Sequence, residues 1–434
     1  MAPELVGAGG FVALLALIAL RAPIGLALML VGGGGLTIIQ GTRTLDFVAG
    51  QAPVSALMNY TLSTLPMFLF MGVLAVRIGM AERLYDTANT FVRHRRGGLA
   101  MASVLSCGGF GAVCGSSVAT VTTMARIAVP PMLKNGYSPR LAGGSIAAGT
   151  TLGILIPPSL PLIVYAILTE TSIGKLFAAG IIPGIVAMLL YVFAVWVWTR
   201  IDPQSAPVGL RAGWRERIAA LGRIGGVLAL FLLVMGGIFI GLFTPSEGAA
   251  IGAAGAMVIG LVTRTLTPEV FRASVVETVQ LSTMIIFIVL GVTFYEYFLQ
   301  ASRIPNVFVG FVEALDLSPL ALILLLVAAF VLLGCVLDSM AILFIFTPVI
   351  FPLVLQAGFD PVWFGIIMVM VIEFGLVTPP IGLNIFLLSR VTPQISMTDA
   401  FVGVVPFIAV DVLRLALFIA FPGLVLFLPG LLFD

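Results

Sequence analysis

Apolar runs long enough to cross a membrane alternate with short polar segments along almost the whole chain. Runs of about 17 to 25 apolar residues are typical of membrane-spanning helices. By this criterion the first half has predicted spans at residues 4–20, 23–39, 54–76, 141–168 and 176–198. The second half has predicted spans at residues 224–243, 245–262, 279–299, 362–388 and 402–428. The pattern therefore predicts an all-α polytopic membrane protein.

Two further apolar stretches, residues 97–133 and 319–355, are predicted to be re-entrant hairpins rather than spans. The middle of the first stretch, from Cys107 to Ser117, contains four glycines and is too rich in glycine for one straight helix. Two half-helices joined at a Gly/Ser tip fit this sequence better. The second stretch takes the same interpretation because it repeats the first.

Two of the predicted spans contain a pair of prolines, Pro157-Pro158 in the first half and Pro379-Pro380 in the second. Proline removes a backbone donor and clashes with the preceding turn, so each helix must open at that point. In hydrocarbon, open backbone is tolerated only where it is buried in protein or faces a bound ion or solute. We therefore predict two proline-broken helices that contribute backbone groups to a site.

An internal repeat relates the two halves at a constant offset of 222 positions. The paired prolines follow this offset, as do Gly153 with Gly375 and Ser117 with Ser339, and the register has no gap from 117 to 158. Paired interrupted helices at corresponding positions are the best sequence pointer to the binding site of a secondary transporter. The predicted organisation is a first repeat at residues 1–199, a polar cytoplasmic linker at 200–223 and a second repeat at 224–434.

The distribution of basic residues predicts the orientation. Each half has five spans and one hairpin, and an odd number of spans inverts the second half relative to the first. With the N-terminus outside, sixteen Lys and Arg residues fall in inner loops and only Arg43, Lys175 and Arg303 fall outside. Residues 81–95 and 304–315 mix apolar and charged positions at helical spacing, so each is either an interfacial helix or an ordinary amphipathic loop helix.

Composition excludes several classes of protein. The chain is 60% hydrophobic and 9% charged, with a mean hydropathy of +1.20, which a soluble globular protein does not tolerate. A net charge of +2 gives no electrostatic reason to expect a nucleic-acid partner. One histidine, no nucleophile elbow and no phosphate-binding loop leave no enzymatic constellation. Transport energy must then come from an ion gradient.

The hairpin tips and the facing broken helices are rich in hydroxyl groups and in glycine. Hydroxyls, backbone carbonyls and one carboxylate are hard oxygen ligands that suit a small alkali cation, so we predict two Na⁺ sites and no other metal. The predicted ion ligands are Ser116, Ser117, Thr120, Thr150 and Gly153 in the first half and Asp338, Ser339, Gly375 and Thr378 in the second. The alternative is that these small residues only allow close helix packing.

A few ionisable or polar residues inside apolar stretches are also candidates. Asp338 is the strongest, because a carboxyl group in a membrane stretch is costly, although protonation or an unseen arginine could neutralise it. Glu247 and Glu373 fit a structural hydrogen bond or salt bridge as well as a functional role. Arg126 could pair with an anion but is expected to form a helix-to-helix salt bridge, and Arg414 is expected to pair with Asp411. The predicted solute contacts are Ser117, Thr151, Pro158 and Asn384.

Four motifs, at residues 111–120, 147–159, 241–250 and 373–384, resemble those of the large membrane subunit of tripartite ATP-independent periplasmic (TRAP) transporters. The resemblance covers nearly the whole chain. It implies Na⁺-driven uptake of a carboxylate-bearing solute such as a C4-dicarboxylate, a sialic acid or another organic acid. It also places the hairpin tips of the Na⁺ sites on Ser116, Ser117, Asp338 and Ser339, and the broken-helix backbone on Gly153 and Gly375.

The same resemblance implies partners, a location and a mechanism. A periplasmic substrate-binding protein delivers the solute, and a separate small four-helix membrane subunit is expected because the first span already belongs to the repeat. The chain would be a multi-pass protein of the bacterial inner membrane, with a periplasmic N-terminus. In an elevator mechanism, a transport domain of residues 97–168 plus 319–388 would move against a scaffold formed by the remainder.

Two other functions are compatible with the residues. One is a stand-alone ion-coupled organic-anion permease of related two-hairpin architecture, which would work without a binding protein. The other is a channel or scaffolding subunit with no coupling ion. The repeat, the paired hairpins and the paired breaks argue against the second of these.

Overall fold

The computed structural model describes residues 2–433, and all their side chains except those of Ala52 and Ala56. The described residues form 21 α-helices and no strand. The first half contains α1 (Pro3–Ala19), α2 (Ile24–Gln40), α3 (Thr42–Leu57), α4 (Thr64–Arg77), α5 (Met80–Val92), α6 (Gly98–Cys114), α7 (Ser117–Lys134), α8 (Pro139–Gly149), α9 (Leu152–Leu155), α10 (Leu160–Thr169) and α11 (Ile173–Ile201). The second half contains α12 (Trp214–Phe239), α13 (Pro245–Val262), α14 (Pro268–Ser302), α15 (Ile304–Ala314), α16 (Pro319–Gly334), α17 (Ser339–Gln356), α18 (Pro361–Val377), α19 (Leu383–Val391), α20 (Met397–Ala420) and α21 (Pro422–Phe433).

The prediction of an all-α polytopic membrane fold is confirmed. Seven helices of the described chain are long and apolar enough to cross a membrane. The count rises to eight if residues 139–169 are taken as one broken span, in which the helix direction changes by 40° at the break.

The structure corrects three predicted boundaries. The third span begins near Tyr60 rather than at residue 54, because residues 54–57 belong to the separate helix α3 and Asn59 caps the start of the span by accepting a hydrogen bond from the backbone N–H of Thr61. The linker is not irregular throughout, since α12 already begins at Trp214. The last apolar stretch is two helices, α20 and α21, and Pro422 begins the second of them because it cannot continue the hydrogen-bonding of the first.

Each half contains a helical hairpin packed against a broken helix. α6 and α7 meet at a tip where Gly115 has a φ of +64°, and α16 and α17 meet at residues 335–338. The break in the first half separates α9 from α10 and that in the second separates α18 from α19, and both Pro-Pro peptide bonds are cis. Both hairpins and both breaks therefore occupy equivalent places in the two halves.

Glycine lets the backbones of hairpin and broken helix touch in both halves. A Cβ atom at Gly153 would lie 3.1 Å from the Cα of Gly111, and a Cβ at Gly375 would lie 2.5 Å from the Cα of Gly334. Contacts this close leave no room for a side chain at Gly111, Gly334 and Gly375, and very little at Gly153. The first arm of each hairpin is thus held directly against the peptide backbone next to the break.

Two long helices complete the block formed by the hairpins and broken helices. α20 lies along α8, where Gly144 meets Gly403 backbone to backbone. α11 packs against the first break, where a Cβ at Gly180 would lie 2.5 Å from the carbonyl oxygen of Leu155. We call α6–α11 together with α16–α20 the hairpin block.

The remaining long helices form a second group around α14. α2 packs tightly on α14, and a Cβ at Gly25 would lie 2.8 Å from the carbonyl oxygen of Phe287. α4 joins the same helix through the ion pair between Arg77 and Glu277, whose nitrogen and oxygen are 2.6 Å apart. This group combines helices from both halves of the chain and flanks the hairpin block.

Candidate functional site

A cavity of about 510 Å³ lies where both hairpin tips, both broken helices and one face of α14 meet. Its wall includes Ser116 and Ser117 from the first tip and Asp338 and Ser339 from the second. Cavities of about 300–1,000 Å³ are typical of small-molecule sites. The fold therefore brings the two tips, which are more than 200 residues apart in sequence, to one site of suitable size for a small solute.

Four half-helices begin at this cavity. The first residues of α7, α10, α17 and α19, which are Ser117, Leu160, Ser339 and Leu383, all line its wall. The first N–H groups of a helix have no partner within the helix, and its N-terminus carries about half a positive charge. Four such ends converging on one space make a site that favours an anion.

Side chains at the tips cap two of these helices. The hydroxyl of Ser116 accepts a weak hydrogen bond from the N–H of Ala119 at the start of α7, at 3.4 Å. Oδ1 of Asp338 accepts hydrogen bonds from the N–H groups of Met340 and Ala341 at the start of α17, at 2.9 and 3.2 Å. The second Asp338 oxygen has no hydrogen bond within the described chain, which leaves it available to a cation.

The charged groups on the cavity wall are both carboxylates. Glu277 is paired with Arg77, whereas Asp338 has no ion pair among residues 2–433. No arginine or lysine of the described chain lines the cavity. An anionic solute there would therefore depend on helix N-termini, hydroxyls and any bound cation for its charge compensation.

The other predicted ion ligands lie behind the tips rather than on the cavity wall. Thr120 is buried and its hydroxyl donates to the carbonyl of Ser116 at 2.7 Å, while Gly153 packs against the same threonine. Thr150 donates to the carbonyl of Ala147 at 2.8 Å.

The predicted ligands of the second half that lie behind its tip are held in a similar way. Thr378 donates to the carbonyl of Phe374 at 2.6 Å, and Gly375 packs against Gly334 of the hairpin. The structure thus gathers each tip with its own broken helix, although several of the hydroxyls are already engaged with backbone carbonyls.

Of the four predicted solute contacts, only Ser117 lies on the cavity wall. Thr151 is buried and donates to the carbonyl of Ala148 at 2.7 Å, and the carbonyl of Pro158 faces Gly115 behind the first tip. Asn384 is fully buried, and neither atom of its amide has a hydrogen-bond partner in the described chain. These three residues therefore support the breaks rather than line the cavity.

A buried charged cluster joins the two broken helices. The sequence predicted only one of its contacts, the pair between Arg414 and Asp411. Arg414 and Asp411 on α20 form the predicted ion pair, at 2.7 Å and almost fully buried. Tyr191 on α11 donates to Asp411 at 2.6 Å and lies 3.2 Å from the hydroxyl of Thr151. The guanidinium of Arg414 also lies over the Tyr191 ring, 5.6 Å from its centroid.

Glu373 is the fifth member of this cluster. It is buried in α18, it interacts electrostatically with Arg414 and Asp411, and neither of its carboxyl oxygens has a hydrogen-bond partner among residues 2–433. The internal repeat indicated that Glu373 lies beside a break, because it is equivalent to Thr151 at the offset of 222. We call Thr151, Tyr191, Glu373, Asp411 and Arg414 the buried cluster.

Of the two remaining candidates, one has a local structural role and the other has no partner in the described chain. Glu247 forms a capping box with Thr244, since each side chain accepts from the backbone N–H of the other at the start of α13. Arg126 is exposed and has no ion pair in the described part of the chain, so the predicted salt bridge is wrong. Neither residue belongs to the cavity.

Known proteins resemble this chain over nearly its full length. The family described as "Tripartite ATP-independent periplasmic transporter, DctM component" matches residues 11–424. The C4-dicarboxylate TRAP transporter large permease protein DctM of Pseudomonas aeruginosa is 38% identical over 77% of this chain and 78% of its own length. The sialic acid TRAP transporter large permease protein SiaM of Vibrio cholerae is 31% identical over 94% of this chain and 95% of its own length.

A solved structure shares the fold. The crystal structure of the Alcanivorax borkumensis YdaH transporter superposes with a TM-score of 0.66 over 98% of this chain and 100% of the YdaH chain, at 16% identity. At that identity the likeness concerns the fold alone. Together with the family match, the repeat and the paired hairpins, these relatives show that the chain belongs to the DctM component family of tripartite ATP-independent periplasmic transporters.

Proposed function

We propose that this chain is the large permease subunit of a Na⁺-driven importer of a carboxylate-bearing solute. The observation that carries the proposal is the convergence of four half-helix N-termini and one carboxylate, Asp338, on a single cavity. Helix N-termini of broken helices attract anionic groups of solutes in secondary transporters, and backbone carbonyls near such breaks coordinate Na⁺. The DctM and SiaM relatives are named for C4-dicarboxylates and sialic acid, which share a carboxylate.

Two Na⁺ ions would bind beside the tips. The proposed ligands in the first half come from Ser116, Ser117, Thr120, Thr150 and Gly153, and those in the second half from Asp338, Ser339, Gly375 and Thr378. The free Asp338 oxygen supports the second site most directly. A cation there neutralises that carboxylate, so the solute carboxylate meets helix N-termini and bound cations instead of an unpaired negative charge.

Movement of the hairpin block against the helices around α14 would carry the site across the membrane. The transport domain predicted from sequence, residues 97–168 plus 319–388, then includes α11 and α20 as well, because both pack directly on the broken helices. The helices around α14, which present an apolar face to the cavity, would form the scaffold.

The proposed partners follow from the family. A periplasmic binding protein would deliver the solute, and a separate small membrane subunit would brace the scaffold. We propose an inner-membrane location with the N-terminus in the periplasm, supported by the sixteen basic residues that this orientation places inside.

The experiment that tests the ion sites compares two aspartates in the same local geometry. Asp338 and Asp360 both cap a helix by accepting two backbone N–H groups, but only Asp338 lines the cavity. The melting temperature of the purified protein is measured in Na⁺, K⁺ and choline. A ligand bound only by the folded state at a hundredfold excess over its dissociation constant stabilises it by about 2.7 kcal/mol.

We expect Na⁺ alone to raise the melting temperature of the wild type and of Asp360→Asn by the same amount, and to raise that of Asp338→Asn less, because only the first ion site remains in this variant. Uptake into proteoliposomes with the binding protein and small subunit should follow the same order. Na⁺ stabilisation as large in Asp338→Asn as in the wild type contradicts the second ion site. Uptake that proceeds without any binding protein would instead support the stand-alone permease.

A further inference from the structure

A basic pocket of about 610 Å³ lies at the end of α11, outside the hairpin cavity. Its main lining residues are His94, Arg95 and Arg96 from the segment between α5 and α6, and Trp196, Thr199 and Arg200 from α11. Nothing in the transport site uses these residues. We call this set the basic pocket.

The positive charge of the basic pocket is not compensated within the chain. Arg95, Arg96 and Arg200 are exposed and form no ion pair among residues 2–433, whereas the neighbouring Arg93 is paired with Glu216 at 2.8 Å. Arg96 makes one hydrogen bond, to the carbonyl of Pro203 at 3.2 Å. Three guanidinium groups thus face one space with most of their donors free.

The pKa of His94 is affected by the positive charges around the pocket. Its pKa is lowered, first by desolvation and then by the nearby charges of Arg217, Arg95 and Arg211. The nearest acidic side chain in sequence to Arg200 is Asp202, and it accepts from the backbone N–H of Gln204 at 3.2 Å instead of pairing with an arginine. An anion entering this pocket would therefore be attracted by several groups at once.

An apolar stripe leads along α11 to the pocket. Ile185, Leu189, Phe193 and Trp196 are exposed and lie on one face of the helix at intervals of three or four residues. The rings of Phe193 and Trp196 stack 5.6 Å apart, and the guanidinium of Arg200 lies 5.2 Å from the centroid of the Trp196 ring. A hydrocarbon-facing stripe thus ends at an aromatic residue and a cation, as is typical of a membrane interface.

We propose that the basic pocket and this stripe bind one anionic phospholipid, with its phosphate among Arg95, Arg96 and Arg200 and an acyl chain along α11. The two parts lie in the order that a phospholipid requires, since the stripe approaches the pocket along the helix axis. Basic pockets between membrane helices bind anionic headgroups, and each nearby arginine contributes about 1 kcal/mol. The stripe favours a lipid over a soluble anion, because a soluble anion would gain nothing from it.

The test measures lipid binding to the delipidated protein by native mass spectrometry. Phosphatidylglycerol and phosphatidylcholine with the same acyl chains are added to the wild type, to Arg96→Gln/Arg200→Gln, and to Arg215→Gln/Arg223→Gln. The last variant removes the same charge from exposed positions on α12 that do not line the pocket. We expect one phosphatidylglycerol to bind preferentially to the wild type and the control, and about 25-fold more weakly to the pocket variant, at about fivefold for each arginine.

His94 gives a second readout, because it is the only histidine in the chain. Binding of the anionic headgroup should raise the pKa of its imidazole, followed by NMR, whereas inorganic phosphate at the same concentration should not. Equal binding of the two lipids, or equal weakening in both double variants, overturns the proposal. An equal effect of inorganic phosphate on the His94 pKa also overturns it, since the pocket would then be a site for soluble anions. Displacement of the lipid by the small subunit overturns it as well, since the stripe would then be a protein interface.

Discussion

Removing Arg414 from the buried cluster should destabilise the protein more than removing its partner Asp411. The reason is the number of groups of opposite charge that remain in the cluster after each substitution. Arg414→Met leaves two buried carboxyl groups, Asp411 and Glu373, with no cation near them. Asp411→Asn leaves the guanidinium its electrostatic interaction with Glu373, although no ion pair joins these two side chains in the described chain, and it keeps an oxygen that can accept from Tyr191.

The magnitudes follow from this difference. Breaking a buried ion pair by removal of one partner costs about 3–5 kcal/mol, because the other charge stays buried and uncompensated. We expect Arg414→Met to lie in that range. Asp411→Asn removes the ion-pair partner of Arg414 but leaves one carboxyl group, Glu373, that interacts electrostatically with the guanidinium, so its cost should be lower, at about 1.5–3 kcal/mol.

The double variant gives the sharpest test. Once Arg414 is gone, Asp411 is itself an uncompensated buried charge, so adding Asp411→Asn to Arg414→Met should recover stability rather than lose more. The free energy of unfolding is measured by titration with SDS in mixed micelles for the wild type, both single variants and the double variant. Losses that simply add, or a larger loss in Asp411→Asn than in Arg414→Met, would refute the charge count for the cluster.

Three further predictions concern the rest of the molecule. Gly111→Ala places a Cβ against the backbone of Gly153 and should lower the free energy of unfolding by at least about 1–3 kcal/mol. In Gly225→Ala the new Cβ, on α12, meets nothing within 4 Å, so this variant should be more stable than the wild type by up to about 1 kcal/mol. Thermal unfolding of the two variants tests both expectations. Arg77→Gln breaks a half-exposed ion pair with Glu277, so its unfolding free energy should fall by only about 0.2–1 kcal/mol. His94 should titrate by NMR with a midpoint below about 6.5, the usual value. Since its folded pKa is lowered, its contribution to stability is fully present above about pH 6.5 and is lost as the pH falls through the lower folded pKa.

Much of the fold could be read from the sequence because its signals are local. Apolar length identifies spans, glycine at 107–117 identifies a tip, and paired prolines identify breaks. The errors also have local causes. The chain from residue 42 to 57 is only weakly apolar, so α3 gives no span signal, and Pro422 breaks a stretch that is apolar on both sides.

The site was harder to read, since it depends on which side chains the packing turns toward the cavity. The tips could be identified because their hydroxyls and Asp338 lie beside glycine in apolar surroundings. Tyr191 gave no signal, because one tyrosine in a long apolar run is typical of a membrane helix. Thr151 and Asn384 lie next to the breaks in sequence but are turned into the protein interior, and only the packing of α11 and α20 decides this.

The two halves differ in charge where they agree in shape, and this difference suits the proposed movement. Thr151 and Glu373 occupy equivalent positions beside the two breaks, yet one is a hydroxyl and the other a carboxyl group. The asymmetry lets one arginine, Arg414, interact with both breaks. It interacts electrostatically with Glu373, and it is linked to Thr151 through Asp411 and Tyr191. A block that carries a site across a membrane must keep its two broken helices fixed relative to each other. The buried charged side chains lie inside the hairpin block, whereas the cavity wall on α14 is mostly apolar. The strong interactions are therefore within the part that the proposed movement requires to be rigid.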